Sequence, residues 1–293
     1  MDITTWYRSG KYFLYKDKHR IFYQEKASDK PKLLLLHGFP TASWDWNKIW
    51  EDLAKKFHLI APDFMGFGFS DKPKSYTYTV HDQADMVEAL LRLKNIDSLH
   101  VLAHDFGDTV MQELLARSIE SSSAIHYRSI CLLNGGIIPE SHQPRPIQKA
   151  LIGPFGLLIT PFLSKKKLKK NFHEIFGKET PPSDEEIDEF YTLISFNRGK
   201  YVFHKLIRYM TERKMFRDRW VGALQNCPIP ISMINGNQDP VSGKHLADEV
   251  RKLMPVIKMV DLPTIGHYPQ TEAPEKVLSH FFEFQTNHFS DQA

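Results

Sequence analysis

The chain holds only two cysteines in 293 residues, Cys131 and Cys227. A pair so far apart makes no disulfide scaffold, and a reducing compartment fits this usage. Charge of one sign is not in excess: 38 Lys and Arg against 35 Asp and Glu leave a formal +3. Nothing in that balance asks for a nucleic-acid partner. No apolar run reaches transmembrane length. The nearest, residues 147–163, is broken by Lys149, Pro154 and Pro161, with Gly153 and Gly156 between them. It reads as a lid segment or loop, with peripheral membrane contact as a side reading. Residues 1–6 show no basic stretch leading into an apolar core, so no secretory signal and a cytoplasmic location are expected. Glycine and proline, 15 and 18 residues, are at ordinary levels, which excludes disordered and collagen-like chains. The 14 histidines show no metal-ligand spacing. The loop holding Gly66 and Gly68 matches no phosphate-binding fingerprint and reads as a tight reversal. No cofactor and no metal are expected. Lysines 165, 166, 167, 169 and 170 form the densest charge cluster and read as a solvated helix face.

What the chain does have is apolar residue, 42% of the total, enough for one substantial core with a smaller inserted domain. Residues 12–24 read as a hairpin turning at Lys16-Asp17-Lys18-His19. The continuous Leu33-Leu34-Leu35-Leu36 run suits a strand covered on both faces. Residues 43–57 read as a Trp-rich helix and 58–62 as a short strand. Val80, Ala84, Val87 and Leu91 recur at helical spacing within 79–93. Strands are expected at 99–103, 127–133, 229–234 and 257–260, with helices at 108–120 and 274–284. That alternation implies an α/β fold with a mostly parallel sheet and helices on both faces. The rhythm breaks after Asn134-Gly135-Gly136. Helices alone are expected at 183–196 and 202–210, so a helical cap is expected at 137–222, inserted between core segments 1–136 and 223–293.

The most informative residue is Asp105. An apolar strand, Leu99 to Ala103, runs into His104-Asp105-Phe106-Gly107 and then a helix. This strand, tight elbow and helix would expose the aspartate as a nucleophile. A carboxylate attacks through oxygen and leaves an ester, so Asp105 points to substrates attacked at an alkyl carbon. Asp239, in Gly236-Asn237-Gln238-Asp239-Pro240, is the candidate orienting acid. His267, in Gly266-His267-Tyr268-Pro269, is the candidate base. Both follow expected core strands, whose carboxyl ends converge in one cleft. Alone, an aspartate at a helix start reads as an N-cap; the three together read as a catalytic set. Asp108 reads as a residue favoured at the amino end of the nucleophile helix. The backbone N–H groups of Phe39, in His37-Gly38-Phe39-Pro40, and of Phe106 are candidates for an oxyanion hole.

The stretches HGFPTASWDW, DFMGFGFSDKP, HDFGD, NGNQDP and GHYPQTEAPE resemble the α/β-hydrolase family, especially its epoxide hydrolase and haloalkane dehalogenase branch. Two more, LNGGIIPE and RKMFRDRWVGAL, carry a closer resemblance to one of its members into and across the cap. The resemblance implies the α/β-hydrolase fold with a cap. It also implies a cap tyrosine that donates to an epoxide oxygen. Tyr209 is the best-placed candidate and Tyr191 the second; where a further tyrosine is usual, this chain has Phe172 and Phe176.

The expected function is therefore hydrolysis of an apolar epoxide to a diol by water, through an alkyl ester on Asp105. Tyr209 would protonate the opened oxygen, and His267, oriented by Asp239, would activate water. Haloalkane dehalogenation with the same three residues is the alternative, although Phe106 and Phe39 stand where family members often place halide-binding Trp or Asn. A noncatalytic interaction protein on a hydrolase scaffold is the reading from another class. A carboxylic-ester hydrolase fits less well, because attack by aspartate would give an anhydride.

Overall fold

The computed structural model describes residues 1–160 and 163–289. Eight strands form one sheet in the order β1-β2-β4-β3-β5-β6-β7-β8. They are β1 (Lys11–Tyr15), β2 (His19–Lys26), β3 (Lys32–Leu36), β4 (His58–Pro62), β5 (Ser98–His104), β6 (His126–Leu133), β7 (Ile231–Gly236) and β8 (Lys258–Leu262). The first hairpin pairs antiparallel, as does β2 with β4; every later pairing is parallel.

The sheet separates two cores, and strand periodicity assigns side chains between them. Leu34 and Leu36 join Val101, Ala103, Ile130 and Leu132 on one face. Leu33 and Leu35 join Leu102, Cys131 and Leu133 on the other. The unbroken leucine run of β3 thus supplies both faces at once. The first core is covered by α3 (Val80–Leu93) and α4 (Phe106–Ile119). Thr79 starts α3 by accepting the Asp82 N–H, and the four apolar residues at helical spacing are all buried. The second core is covered by α1 (Ile3–Ser9), α2 (Trp50–Ala54) and α14 (Pro274–Phe289).

Residues 43–57 do not form one helix. A 3₁₀ turn at Ser43–Trp46 precedes α2 instead. Trp44, Trp46 and Trp50 are all buried, and residues two apart on an α-helix point to different sides. The Asp63 carboxylate also holds the Ser43 N–H at 2.8 Å. Its other oxygen accepts from Phe69 N–H at 2.7 Å, so the loop with Gly66 and Gly68, both at positive φ, folds back around Asp63 as a tight reversal.

Between β6 and β7 the described chain is helical: α5 (Pro146–Ile152), α6 (Gly156–Ile159), α7 (Lys165–Ile175), α8 (Asp184–Ser195), α9 (Phe203–Leu206), α10 (Tyr209–Met215) and α11 (Arg217–Gln225). This is the inserted cap. The expected lid segment becomes two short helices, because Pro146 starts α5 and Gly153 and Pro154 end it; Pro161 lies outside the described residues. The expected helix at 202–210 is split into α9 and α10. The core resumes with β7, α12 (Lys244–Leu253), β8 and α13 (Pro269–Glu272) before α14. Among the described residues no helix is long and apolar enough to cross a membrane.

The cap is tied to the helix that follows Asp105 through Glu113 of α4. This fully buried carboxylate accepts from Arg219 and Trp220 of α11, each at 2.8 Å, and from Arg117 at 2.9 Å. Burial pushes Glu113 up, but Arg219, Arg117 and Trp220 outweigh it and hold it at about 2.

Candidate active site

Asp105 sits between β5 and α4 with φ 46° and ψ −101°. A non-glycine residue there is strained by about 1–3 kcal/mol. The turn is held by the Asp105 N–H on the Leu133 carbonyl at 3.1 Å. Gly107 lets α4 start hard against β3, since a methyl there would collide with the Leu36 carbonyl. The elbow therefore raises the carboxylate at the carboxyl edge of the sheet.

Its Oδ2 accepts the Phe39 N–H at 3.0 Å. The loop that presents this donor is fixed by His37, whose Nδ1–H donates to the Gly38 carbonyl at 2.8 Å while Nε2 accepts the Phe64 N–H at 3.0 Å. Among the described hydrogen bonds, none joins the Phe106 N–H to this carboxylate.

His267 and Asp239 are brought together. His267 Nδ1 and Asp239 Oδ2 are 2.7 Å apart, and both residues are buried. The Asp239 carboxylate also accepts from Ser242 Oγ at 2.7 Å, Val241 N–H at 2.7 Å and Asn134 Nδ2 at 3.2 Å. Burial pushes this carboxyl up, yet His267 and these donors hold it at about 2. Burial likewise pushes His267 down, but the Asp239 charge and hydrogen bond, then Asp105, lift it to about 9. At neutral pH the resting imidazole carries a proton. Asp105 is also drawn down: burial raises it, and His267, Arg213, His104 and the Phe39 N–H more than offset that.

Arg213 of α10 reaches Asp105 from the cap. Its Nη2 lies 3.1 Å from the Asp105 carbonyl oxygen and 3.4 Å from Oδ1. Its Nε donates to Thr109 Oγ1 at 2.7 Å. The guanidinium lies 4.6 Å from the Tyr209 ring centroid. No local sequence signal marks Arg213, because only the fold brings α10 over α4. Asn134 and Ser242 were also missed; their signal is position, since Asn134 directly follows β6 and Ser242 follows Asp239 by three residues. Asp108, within the first turn of α4, is fully buried and pushed well up by burial and then by Asp105.

The two cap tyrosines separate. Tyr209 is buried against Phe106, with ring centroids 4.9 Å apart, and against Phe39 at 6.0 Å. Its hydroxyl has no partner among the described residues and is pushed up by burial and by Asp105. It does not line the cavity that holds Asp105 and His267. Tyr191 does line it. Its hydroxyl lies 3.1 Å from Lys200 Nζ, which draws its pKa down. The cavity offers about 100 Å³ and is walled mainly by apolar side chains such as Leu151, Leu168, Phe172, Ile194 and Phe203. Trp44 is not part of it; its Nε1 donates to Glu189 at 3.0 Å.

Phe172 and Phe176 stack on Tyr268, at 5.5 and 5.2 Å. The His267 N–H donates to the Ile175 carbonyl at 2.8 Å. Glu272 then joins the cap loop to the histidine loop, accepting from the N–H groups of Gly177 (2.7 Å), Gly266 (2.9 Å) and Tyr268 (2.9 Å) and from Thr180 Oγ1 (2.6 Å). Among the described residues no group of three His, Cys, Asp or Glu side chains is arranged to hold a metal ion.

A sequence model of the α/β-hydrolase fold matches residues 31–151. The mesoderm-specific transcript homolog protein of Bos taurus is 42% identical over 96% of this chain and 87% of its own length. The chain belongs to the α/β-hydrolase family. A protein described as putative hydrolase LipZ of Mycobacterium tuberculosis is 35% identical to this family member, covering 92% of this chain and 93% of its own. Among solved structures, a loop variant of the haloalkane dehalogenase DbeA from Bradyrhizobium elkanii superposes with a TM-score of 0.80 at 23% identity, over 96% of this chain and 97% of that one. At that identity the likeness is one of fold. The sequence resemblance to this family, and to the mesoderm-specific transcript protein in particular, is borne out.

Proposed function

We propose that this chain is a hydrolase that displaces a leaving group from an alkyl carbon through an ester on Asp105, acting on a compact haloalkane-like electrophile. The observation that carries this reading is an aspartate at the elbow, 3.0 Å from the Phe39 N–H, sharing one apolar cavity with a histidine that is itself paired to Asp239 at 2.7 Å. Asp105 attacks carbon, the new C–O bond forms, and the carbon–halogen bond breaks with its electron pair going to the halide. Arg213 lies against Asp105 and helps to keep it ionised for the attack, while the halide leaves into the cavity on the side of the carbon opposite the attacking oxygen. His267 then takes a proton from water, which attacks the Asp105 carboxyl carbon. The Phe39 N–H holds the oxyanion as the alcohol leaves and Asp105 is regenerated. Solved haloalkane dehalogenases share this fold.

Epoxide opening is the second reading, and it rests on a different tyrosine from the one favoured by sequence. An epoxide oxygen stays attached to carbon and needs a proton. Tyr191, in the cavity wall with its hydroxyl on Lys200, is the available donor; Tyr209 lies outside the cavity. The test is intact-protein mass spectrometry of His267→Gln after exposure to a short bromoalkane or the matching terminal epoxide. An alkyl adduct on Asp105 with bromide release supports the first reading. A hydroxyalkyl adduct whose formation falls in Tyr191→Phe supports the second. A folded His267→Gln that gains neither adduct overturns ester chemistry at Asp105 and favours a noncatalytic role.

A further inference from the structure

Residues 133–140 and 213–224 come together in space. Between them and α5 lies a groove of about 810 Å³. Arg213 and His142 contribute to its floor, and Lys149, Lys214 and Arg217 to its walls. It is distinct from the cavity holding Asp105 and His267, because α5 stands between the two. Ile147, Gln148 and Leu151 face the cavity, whereas Lys149 and Ile152 face the groove.

The charge in the groove is unevenly satisfied. Arg217 is paired with Glu140 at 2.9 Å and Asp218 at 3.2 Å, so the two acids of the lining share one guanidinium. Lys149 and Lys214 make no ion pair among the described residues. Arg213 is only 2% exposed. Its Nε and Nη2 are bonded, but its buried Nη1 has no partner among the described residues, and neither has either ring nitrogen of His142. A methyl on Gly136 would run into both Arg213 Nη1 and His142 Nδ1, so the two groups converge beside a residue that has no side chain. Buried donors of this kind are costly unless something binds them. Burial and the Arg213 charge hold the His142 imidazole neutral, at about 3, so it offers one N–H and one lone pair.

We propose that this groove is a second binding site, which takes an oxyanion group, phosphate or carboxylate, on Arg213 and His142 with Lys149 and Lys214 at its walls. A guanidinium, an imidazole N–H and two ammonium groups are donors suited to such a group. Four cationic side chains of the lining, Lys149, Arg213, Lys214 and Arg217, outnumber its two acids, Glu140 and Asp218, so its charge favours an anion. The site does not depend on the proposed reaction, but it is coupled to Asp105. Nη2 of the same guanidinium rests on the nucleophile, so the anion and the Asp105 charge share one cation. Removing the Asp105 charge must then tighten the anion, by the reciprocity of linked sites.

Calorimetric titration of the full chain with inorganic phosphate and, separately, acetate at low ionic strength tests this. Saturable binding of either ion is expected; phosphate alone marks a phosphate site, and both mark a general oxyanion site. Lys149→Ala with Lys214→Ala should weaken binding about tenfold, and His142→Ala should weaken it too. Asp105→Asn should tighten it several-fold, at the lower end of the roughly 5–150-fold range typical of coupled sites. Absence of binding by the folded chain overturns the proposal. So does binding that survives both groove variants unchanged, or that is not tightened by Asp105→Asn.

Discussion

Asp239→Asn tests the electrostatics of the candidate site most directly. The substitution keeps the side chain's shape and removes its charge. His267 holds its proton to about 9 against an ordinary value of 6.5, although burial opposes the charged ring. The difference corresponds to about 3 kcal/mol in favour of the imidazolium. The Asp239 charge is the largest upward contribution, and its hydrogen bond is the next. With the charge gone, only the more weakly acting Asp105 and Glu272 charges oppose burial, so His267 should titrate near or below 6.5. The amide would also present an NH₂ to Ser242, Val241 and Asn134, which all donate to the native carboxylate. Nitrogen-15 spectra of histidine-labelled protein across pH would follow the ring, with the His267→Gln spectrum assigning its signal. Alkylation of Asp105 should persist while ester hydrolysis slows by about 10²–10⁴, on the scale of a misoriented triad base. A His267 signal still titrating near 9 in the variant would refute this account of its proton.

The remaining expectations concern pH and the two seams of the cap. In single-turnover kinetics of a reactive substrate, ester formation should stay flat as pH falls toward the ordinary carboxylate range, because Asp105 is held below 3.8. Ester hydrolysis should rise with pH through the His267 titration; a hydrolysis rate independent of pH between 6 and 9, an interval chosen to bracket about 6.5 to about 9, would remove His267 as the base. Glu113→Gln should cost about 3–5 kcal/mol in urea denaturation at neutral pH, since it leaves buried cations without their carboxylate; a loss below about 1 kcal/mol would show that the α4–α11 network is not needed. The folded Glu113 sits at about 2 against 4.5, so its stabilisation is present above about 4.5 and is lost as pH falls toward 2. Glu272→Ala should speed amide exchange at Gly177 and Gly266, whose N–H groups it holds; unchanged protection there would contradict its role as the clamp.

Much of this arrangement could be read from the sequence because it is local. The elbow is written in the apolar run of β5 followed by Asp105 and Gly107, and the paired faces of β3 are written in its leucines. Asp239 and His267 each sit just past a strand, which is why the order of elements sufficed to bring them together. What the sequence hid is what depends on distance. Arg213 lies 108 residues from Asp105 in sequence and reaches it only because α11 is anchored to α4 through Glu113. Tyr209 occupies a position expected of a cap donor, yet the rings of Phe39 and Phe106 enclose it and Tyr191 faces the cavity instead. Helix boundaries failed where tertiary demands differ from periodicity, as in the Trp-rich segment, whose three buried rings cannot share one helical face.

The charges of the site also order its steps. At rest, Asp105 helps to hold the proton on His267, so the imidazole is a poor base before any ester exists. Attack on carbon turns the Asp105 carboxylate into a neutral ester. That change removes one of the three negative charges lifting His267, those of Asp239, Asp105 and Glu272, while burial continues to push it down. The base is therefore released by formation of the ester it must help to hydrolyse. The same event removes the carboxylate charge that faces the Arg213 guanidinium. On the proposed mechanism, a single neutralisation thus both completes the first step and prepares the second.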